Sequence, residues 1–160
     1  PRAVHERRYL TMVLARFTHP LYMKIINENP PNNLRETIAS FGMQPHGGVI
    51  YTYGDTIYNP SGADLPDHLI EHEETHCEQQ GADPDAWWDR YLQDPYFRIE
   101  QETEAYARQF AYICLRVHDR NQRNKILLDL AQVLAGPVYG KVIGTMNAYE
   151  KIKNLSKVKP

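Results

Sequence analysis

The stretch LIEHEETHCEQQ, residues 69–80, places two histidines four positions apart with a glutamate directly after the first. Positions i and i+4 lie on one face of a helix, about one turn apart, so the rings of His72 and His76 can meet at one point. Two neutral imidazole nitrogens can bind one Zn²⁺ at about 2.0–2.1 Å. Glu73 can then reach a water on the ion and act as its general base, while the ion lowers the pKa of that water towards about 7. The pattern predicts a helix with a zinc site and Glu73 as its catalytic residue.

The residues around this stretch indicate where the helix begins and ends. Gly81 directly follows the stretch and is typical of a helix end. Upstream, Asp64 or Ser61 can cap the first turn, in which Pro66 is tolerated. We therefore expect one uninterrupted helix through both histidines.

A catalytic zinc site uses three protein ligands and a water, so a third ligand must come from elsewhere. His68 extends the row of histidines, but eight residues rise about 12 Å along a helix, too far for one ion to meet all three rings. We expect His68 to flank the site. A carboxylate on a later helix can complete a set of two histidines and one glutamate. Glu100, Glu102 and Glu104 all qualify, and spacing alone leaves the three open.

The order of these motifs resembles the gluzincins, above all compact members in which Glu-x-x-Ala-Asp/Asn follows His-Glu-x-x-His. Glu102 lies three residues before Ala105. The resemblance therefore implies that Glu102 is the third metal ligand, beside His72 and His76. It covers roughly residues 47–140 and implies a small helical domain with a short β-hairpin beside the metal helix.

The chain departs from that pattern at Tyr106, where the family often has Asp or Asn. Gln109 or Gln101 is expected to replace the hydrogen-bonding group that this position usually supplies. The segments GDTIY, residues 54–58, and Gln79-Gln80 also look like small HExxH proteins of phages, prophages and phage-tail-like injection systems.

The resemblance implies a zinc metallopeptidase that hydrolyses a peptide or protein substrate in the cytoplasm or on a virion. Assembly proteins of phages or tail-like particles are the further partners it implies. The alternative is a non-enzymatic virion or assembly protein that keeps the zincin fold and the metal site, and a third class is a regulatory binding domain. In the enzyme, a hydrogen-bond donor must stabilise the oxyanion, and four tyrosine hydroxyls are open candidates for that role: Tyr51, Tyr53, Tyr106 and Tyr139.

The length predicts one domain over residues 1–160, and the helices and short hairpin indicated along the chain predict an α+β, mostly α class. The formal net charge of −2 does not call for a nucleic-acid or membrane partner, and no clear nucleic-acid site and no apolar run of the length of a membrane span is found in the sequence. No secretory signal peptide is expected. We expect an N-terminal helical segment over 1–46, the metal-site core over 47–140, and a C-terminal helix with a basic tail over 141–160.

Local patterns predict the remaining elements. Apolar spacing in residues 2–27, including Ile25, favours a helix that Pro20 interrupts, and Asn33 can cap a helix over 34–41. Residues 48–53 and 56–58 flank Gly54-Asp55 and predict a hairpin. Ile50-Tyr51 or Ile57-Tyr58 can then pair with an extended peptide.

Downstream, Asp83-Pro84 and Asp94-Pro95 each predict a helix start, the second leading towards His118. A further helix is expected over 121–135, and Thr145 can cap a last one through Ile152. We expect Trp87 and Trp88 in the core or in a cleft wall, and Cys77 and Cys114 as reduced thiols with a disulfide between them still possible.

Overall fold

The computed structural model describes residues 23–40 and 49–157. Helices dominate it, beside one small sheet, which confirms the α+β, mostly α class. The elements are β1 (Lys24–Ile26), α1 (Asn32–Ser40), β2 (Tyr51–Tyr53), β3 (Thr56–Tyr58), α2 (Asp67–Gln80), α3 (Pro84–Gln93), α4 (Pro95–Cys114), α5 (Arg120–Leu134), a 3₁₀ turn (Pro137–Tyr139) and α6 (Thr145–Ser156). The helix predicted over residues 2–27 lies mostly outside the described residues.

The predicted hairpin is confirmed. β2 and β3 pair antiparallel, with Tyr53 opposite Thr56 across the two-residue turn. Gly54 has a φ of 60°, which a residue without a Cβ adopts without steric cost.

The sheet order corrects two expectations. β1 pairs in parallel with β3, so the strand order is β1-β3-β2 and β3 is central. Ile25 therefore lies in a strand, since pairing with Ile57, far along the chain, outweighs its local helical spacing. Ile57-Tyr58 cannot take up a peptide, because both edges of β3 are already paired.

Two helices begin where the sequence predicts. Asp83 accepts a hydrogen bond from the backbone N–H of Ala86 at 3.0 Å, and Pro84 is the first residue of α3. Asp94 accepts from the N–H groups of Tyr96 and Phe97, both at 3.0 Å, at the start of α4. Each carboxylate satisfies N–H groups that have no partner within the helix.

The predicted cap of α2 was wrong. Pro66 occupies the cap position, and it makes no side-chain cap hydrogen bond to the first turn. Ser61 instead donates to Asn59 Oδ1 at 2.7 Å and accepts from the N–H of Ala63 at 3.2 Å, which closes the preceding loop on itself. The predicted end of the helix is confirmed, since Gly81 follows the last residue of α2 with a φ of 55°.

Other boundaries move by a few residues. Thr145 is the first residue of α6, and Gly144 precedes it without a side-chain cap. Asn33 lies inside α1, which begins at Asn32. α4 stops at Cys114, where the N–H of Leu115 bonds the carbonyl of Tyr112 at 3.2 Å and so tightens the last turn.

Two groups of buried apolar side chains hold the described residues together. One joins α4, α5 and α6, and its fully buried members are Phe110, Leu127, Ala131, Leu134, Ala148 and Ile152. The other joins α1, β2 and α3 through Leu34, Ile38, Tyr51, Trp87, Trp88, Tyr91 and Leu92. Both tryptophans are thus in the core, and Cys77 and Cys114 are free thiols. No helix within 23–40 and 49–157 is long and apolar enough to span a membrane.

Arg108 of α4 joins α4 to α2 through three carboxylates. It contacts Glu71 at 3.0 Å, Glu74 at 3.3 Å and Glu78 at 2.6 Å, which follow one another along α2. Arg108, Glu71 and Glu74 are largely screened from solvent, with side-chain exposures of 20%, 13% and 18%. These pairs fix the register in which the two helices pack.

We expect Arg108→Ala to lower the free energy of unfolding by about 1.5–3 kcal/mol, because charged hydrogen bonds in a partly buried setting are lost. Urea denaturation measures the change. Lys153→Ala is the control, since its pair with Glu150 is a surface i,i+3 pair and its loss should cost less than about 0.5 kcal/mol. Equal effects of the two substitutions would contradict the role given to Arg108.

Candidate metal centre

Three buried side chains from two helices meet beside the sheet. His72 and His76 leave one face of α2, and Glu102 reaches them from α4. Their exposed fractions are 7%, 7% and 3%, so these polar groups need partners. This group can hold a metal ion, with one ligand atom from each residue and all of these atoms within 4.8 Å of one another.

The distances between the ligand atoms match the edges of a zinc tetrahedron. The two Nε2 atoms of His72 and His76 are 3.2 Å apart. Glu102 Oε2 lies 3.4 Å from His72 Nε2, and Glu102 Oε1 lies 3.4 Å from His76 Nε2. Ligands at about 2.0–2.1 Å from a tetrahedral ion stand about 3.3 Å from each other. Each Nε2 therefore stands at about this distance from the other Nε2 and from one of the two carboxylate oxygens of Glu102.

The hydrogen bonds of the two rings direct their lone pairs to that point. His72 Nδ1 lies 3.1 Å from Gln109 Oε1, and His76 Nδ1 lies 2.9 Å from Gln79 Oε1. An amide oxygen only accepts, so each Nδ1 must carry the proton. In a neutral ring, Nε2 is then the unprotonated nitrogen, which is the form that binds a metal.

Glu102 is an anion with one oxygen left unsatisfied. Burial alone would raise the pKa of Glu102, but the adjacent imidazoles, His76 foremost, outweigh it and hold that pKa well below its usual range. Tyr91 donates to Glu102 Oε1 at 2.6 Å, whereas Oε2 is buried without a hydrogen-bond partner. An anionic oxygen in that position suits a cation.

A proton competes with a metal ion for the position between Glu102 and the two rings. Burial lowers the pKa of His76, yet the Glu102 carboxylate more than offsets this and raises that pKa to about 9. Binding of a divalent ion must therefore release a proton from the group.

Glu73 lies at the site without belonging to the ligand group. It is 9% exposed, and Thr52 of β2 donates to Glu73 Oε2 at 2.7 Å. This bond leaves Oε1 for another partner. Glu73 can therefore take a proton, whereas the carboxylate of Glu102 faces the two histidine rings.

A cleft of about 110 Å³ opens onto the ligand group and Glu73. Its walls are mainly apolar and come from α1, β2, α3 and the 3₁₀ turn, with Ile38, Ile50, Tyr51, Trp88 and Val138 among them. Val49 and Val138 at the cleft are 39% and 67% exposed. The cleft can therefore take an apolar group next to the metal position.

The tyrosines that are candidates for stabilising the oxyanion have different surroundings in the structure. Tyr139 lines the cleft, and its hydroxyl lies 3.1 Å from that of Tyr106. The ring edge of Tyr106 packs on His72, with ring centres 4.6 Å apart. Tyr53 faces away and donates to Asp85 at an exposed position. Burial raises the pKa of Tyr139, with Glu102 adding to the effect, so Tyr139 stays protonated at neutral pH and can donate.

The structure separates the three glutamates on α4. Glu100 and Glu104 are exposed, and only Glu102 of the three joins the ligand group. Ala105 is fully buried, as close packing of α2 on α4 requires. Gln109 takes the hydrogen-bonding position that Tyr106 does not fill, whereas Gln101 accepts from Trp87 Nε1 at 2.9 Å.

Sequence reasoning missed three contacts. Thr52 and Tyr91 reach Glu73 and Glu102 only through the tertiary fold, and no local pattern marks them. Gln79 could have been found, because it lies three residues after His76 on the same helix and so on the same face.

Comparisons with known proteins gave no relative. No protein-family model, no curated protein and no solved structure matches the chain.

Proposed function

We propose that the protein is a zinc-dependent metallopeptidase of the gluzincin type. The observation that supports it most is the pair of rings and one carboxylate spaced 3.2–3.4 Å apart, with a second carboxylate beside them that is not in the group. Two histidines and one glutamate form the ligand set of catalytic zinc sites that keep a fourth position for water. A purely structural ion would not require Glu73 next to it.

The roles of the residues follow from their positions. His72, His76 and Glu102 would hold Zn²⁺, which supplies a Lewis acid and an acidified water when bound. Glu73, which lines the cleft, would take a proton from that water, and Thr52 holds one of its two oxygens in place. The fixed carboxylate removes an orientational cost from the reaction.

β2 is the strand along which a peptide would lie. It is an edge of the described sheet, and Ile50, Tyr51 and Thr52 line the cleft. The carbonyl of Thr52 is already occupied by Gln80 Nε2 at 2.8 Å and Trp88 Nε1 at 3.1 Å. Backbone pairing with a substrate would therefore use Ile50. Ile50 belongs to Ile50-Tyr51, one of the two segments that the sequence suggests for this pairing.

Metal content tests the first step of the proposal. Purified protein should contain about one zinc per chain, because two imidazoles and one carboxylate lie close enough together to hold one ion. His72→Ala and His76→Ala should each lose it, measured by atomic emission after gel filtration. His118→Ala changes an exposed histidine outside the site and serves as the control. Absence of zinc and of any other divalent metal in protein reconstituted with each ion would refute the metal site.

Tyr139 is the hydroxyl that we expect to stabilise the oxyanion. Tyr139→Phe should lower kcat by about 100-fold, the usual effect of removing one such donor, while zinc content stays unchanged. Initial rates on a mixture of unstructured peptides, read by mass spectrometry, measure the loss. Tyr53→Phe is the matched control, since Tyr53 bonds Asp85 away from the cleft. A full rate in Tyr139→Phe would rule out this role.

A further inference from the structure

The two histidines of the ligand group are held by glutamines that are themselves anchored in different ways. Each ring donates from Nδ1 to an amide oxygen, Gln79 for His76 and Gln109 for His72. A side-chain amide can turn by 180° and present its NH₂ group instead. What holds each amide in place therefore decides which ring nitrogen carries the proton.

The amide of Gln79 is anchored by groups that can only accept. Its NH₂ donates to the carbonyl of Gln101 at 3.0 Å and to Glu104 Oε2 at 3.0 Å. A turned amide would place its oxygen against two other oxygens, which is repulsive. The proton of His76 is thus fixed on Nδ1.

The amide of Gln109 has a single anchor among the contacts that the structure shows. Its Nε2 lies 3.0 Å from Nδ1 of His68, a half-buried ring one turn before His72 on α2. If the amide of Gln109 turned, its NH₂ group would face His72 Nδ1. The proton of His72 would then move to Nε2, and His72 could not bind a metal through that atom.

We infer that His68 is a positioning residue for the metal: in the tautomer that carries its proton on Nε2, His68 accepts from Gln109 through Nδ1, keeps the oxygen of that amide on His72 and so keeps His72 Nε2 free as a ligand. The inference rests on the proposed metal site and extends it to a residue outside the ligand group. It also gives the first histidine of the row His68, His72, His76 a role without placing a third ring at the ion.

Zinc affinity in a double-mutant cycle tests this inference. Zn²⁺ dissociation constants would be measured by competition with a chelator of known affinity. His68→Phe keeps a ring of similar size without an acceptor and should weaken binding about 10-fold, the lower end of outer-shell effects at metal sites. His68→Asn places an acceptor oxygen near the position of Nδ1 and should restore affinity to within about 2-fold. His118→Phe is the matched control at an exposed histidine.

The second arm of the cycle uses Gln109→Glu. A carboxylate presents an accepting oxygen to His72 in either orientation, so the anchor becomes unnecessary. In that background His68→Phe should change zinc affinity by less than about 2-fold. A merely structural His68 would give the same loss in both backgrounds, and that result, or no loss in either, would overturn the inference. Failure of the unmutated protein to bind zinc would overturn the proposed function as well, so the two failures are distinguishable.

Discussion

Glu73→Gln should abolish peptide hydrolysis while leaving the metal in place. The amide has the shape of the carboxylate and can still accept from Thr52, which holds Glu73 Oε2 at 2.7 Å. It cannot take a proton from a metal-bound water, so kcat should fall by about 10²–10⁴-fold, the usual contribution of a general base. Initial rates on the peptide mixture and zinc content per chain are the two measurements.

Glu74→Gln is the matched control for this prediction. Glu74 is the next residue on α2, but its carboxylate pairs with Arg108 and does not line the cleft. The same chemical change there should leave the rate within about 2-fold, because no proton transfer passes through it. If Glu73→Gln turned over peptides at the unmutated rate, the assignment of Glu73 as the general base would be wrong.

Glu102→Ala should remove metal binding almost entirely. The substitution leaves two Nε2 atoms 3.2 Å apart without the Glu102 carboxylate as third ligand. We expect the dissociation constant for zinc to rise by more than the 10–100-fold that follows loss of an outer hydrogen-bond partner, since here a ligand itself is lost. Tyr91 also loses its acceptor, which should cost about 1–3 kcal/mol of stability. Chelator competition and urea denaturation separate the two effects.

Glu100→Ala provides the control, because Glu100 is exposed on the same helix and was an equal candidate from spacing alone. Its zinc affinity should equal that of the unmutated protein. Should Glu100→Ala weaken zinc binding while Glu102→Ala does not, the ligand set proposed for this site would be wrong.

Elements with local signals could be predicted from the sequence. Asp83-Pro84 and Asp94-Pro95 start helices through contacts within three residues, and Gly54-Asp55 sets a turn by its own backbone. β1 could not be predicted, because its strand exists only through pairing with β3 about thirty residues later. Ser61 was misjudged, since it bonds Asn59 within the loop in preference to the helix end.

Some residues of the candidate site could likewise be predicted from the sequence, and others could not. His72, His76 and Glu73 follow from spacing on one helix, and a glutamate on a later helix follows from the ligand number that zinc requires. The choice of Glu102 came from family resemblance, and the structure brings Glu102 to the rings. Thr52 and Tyr91 could not be predicted, because their positions depend on how β2 and α3 pack around the two ligand helices.

The acidic side chains of α2 affect when this helix can form during synthesis. Its 14 residues contain no lysine or arginine and five acidic side chains, Asp67, Glu71, Glu73, Glu74 and Glu78. Like charges one turn apart weaken an isolated helix, and one of this length is marginal in water in any case. Arg108 relieves that repulsion only after α4 has formed. A nascent chain that ends before residue 95 would therefore expose the whole histidine motif without the helix that supplies Glu102, and the ligand group could assemble only after α4 emerges from the ribosome.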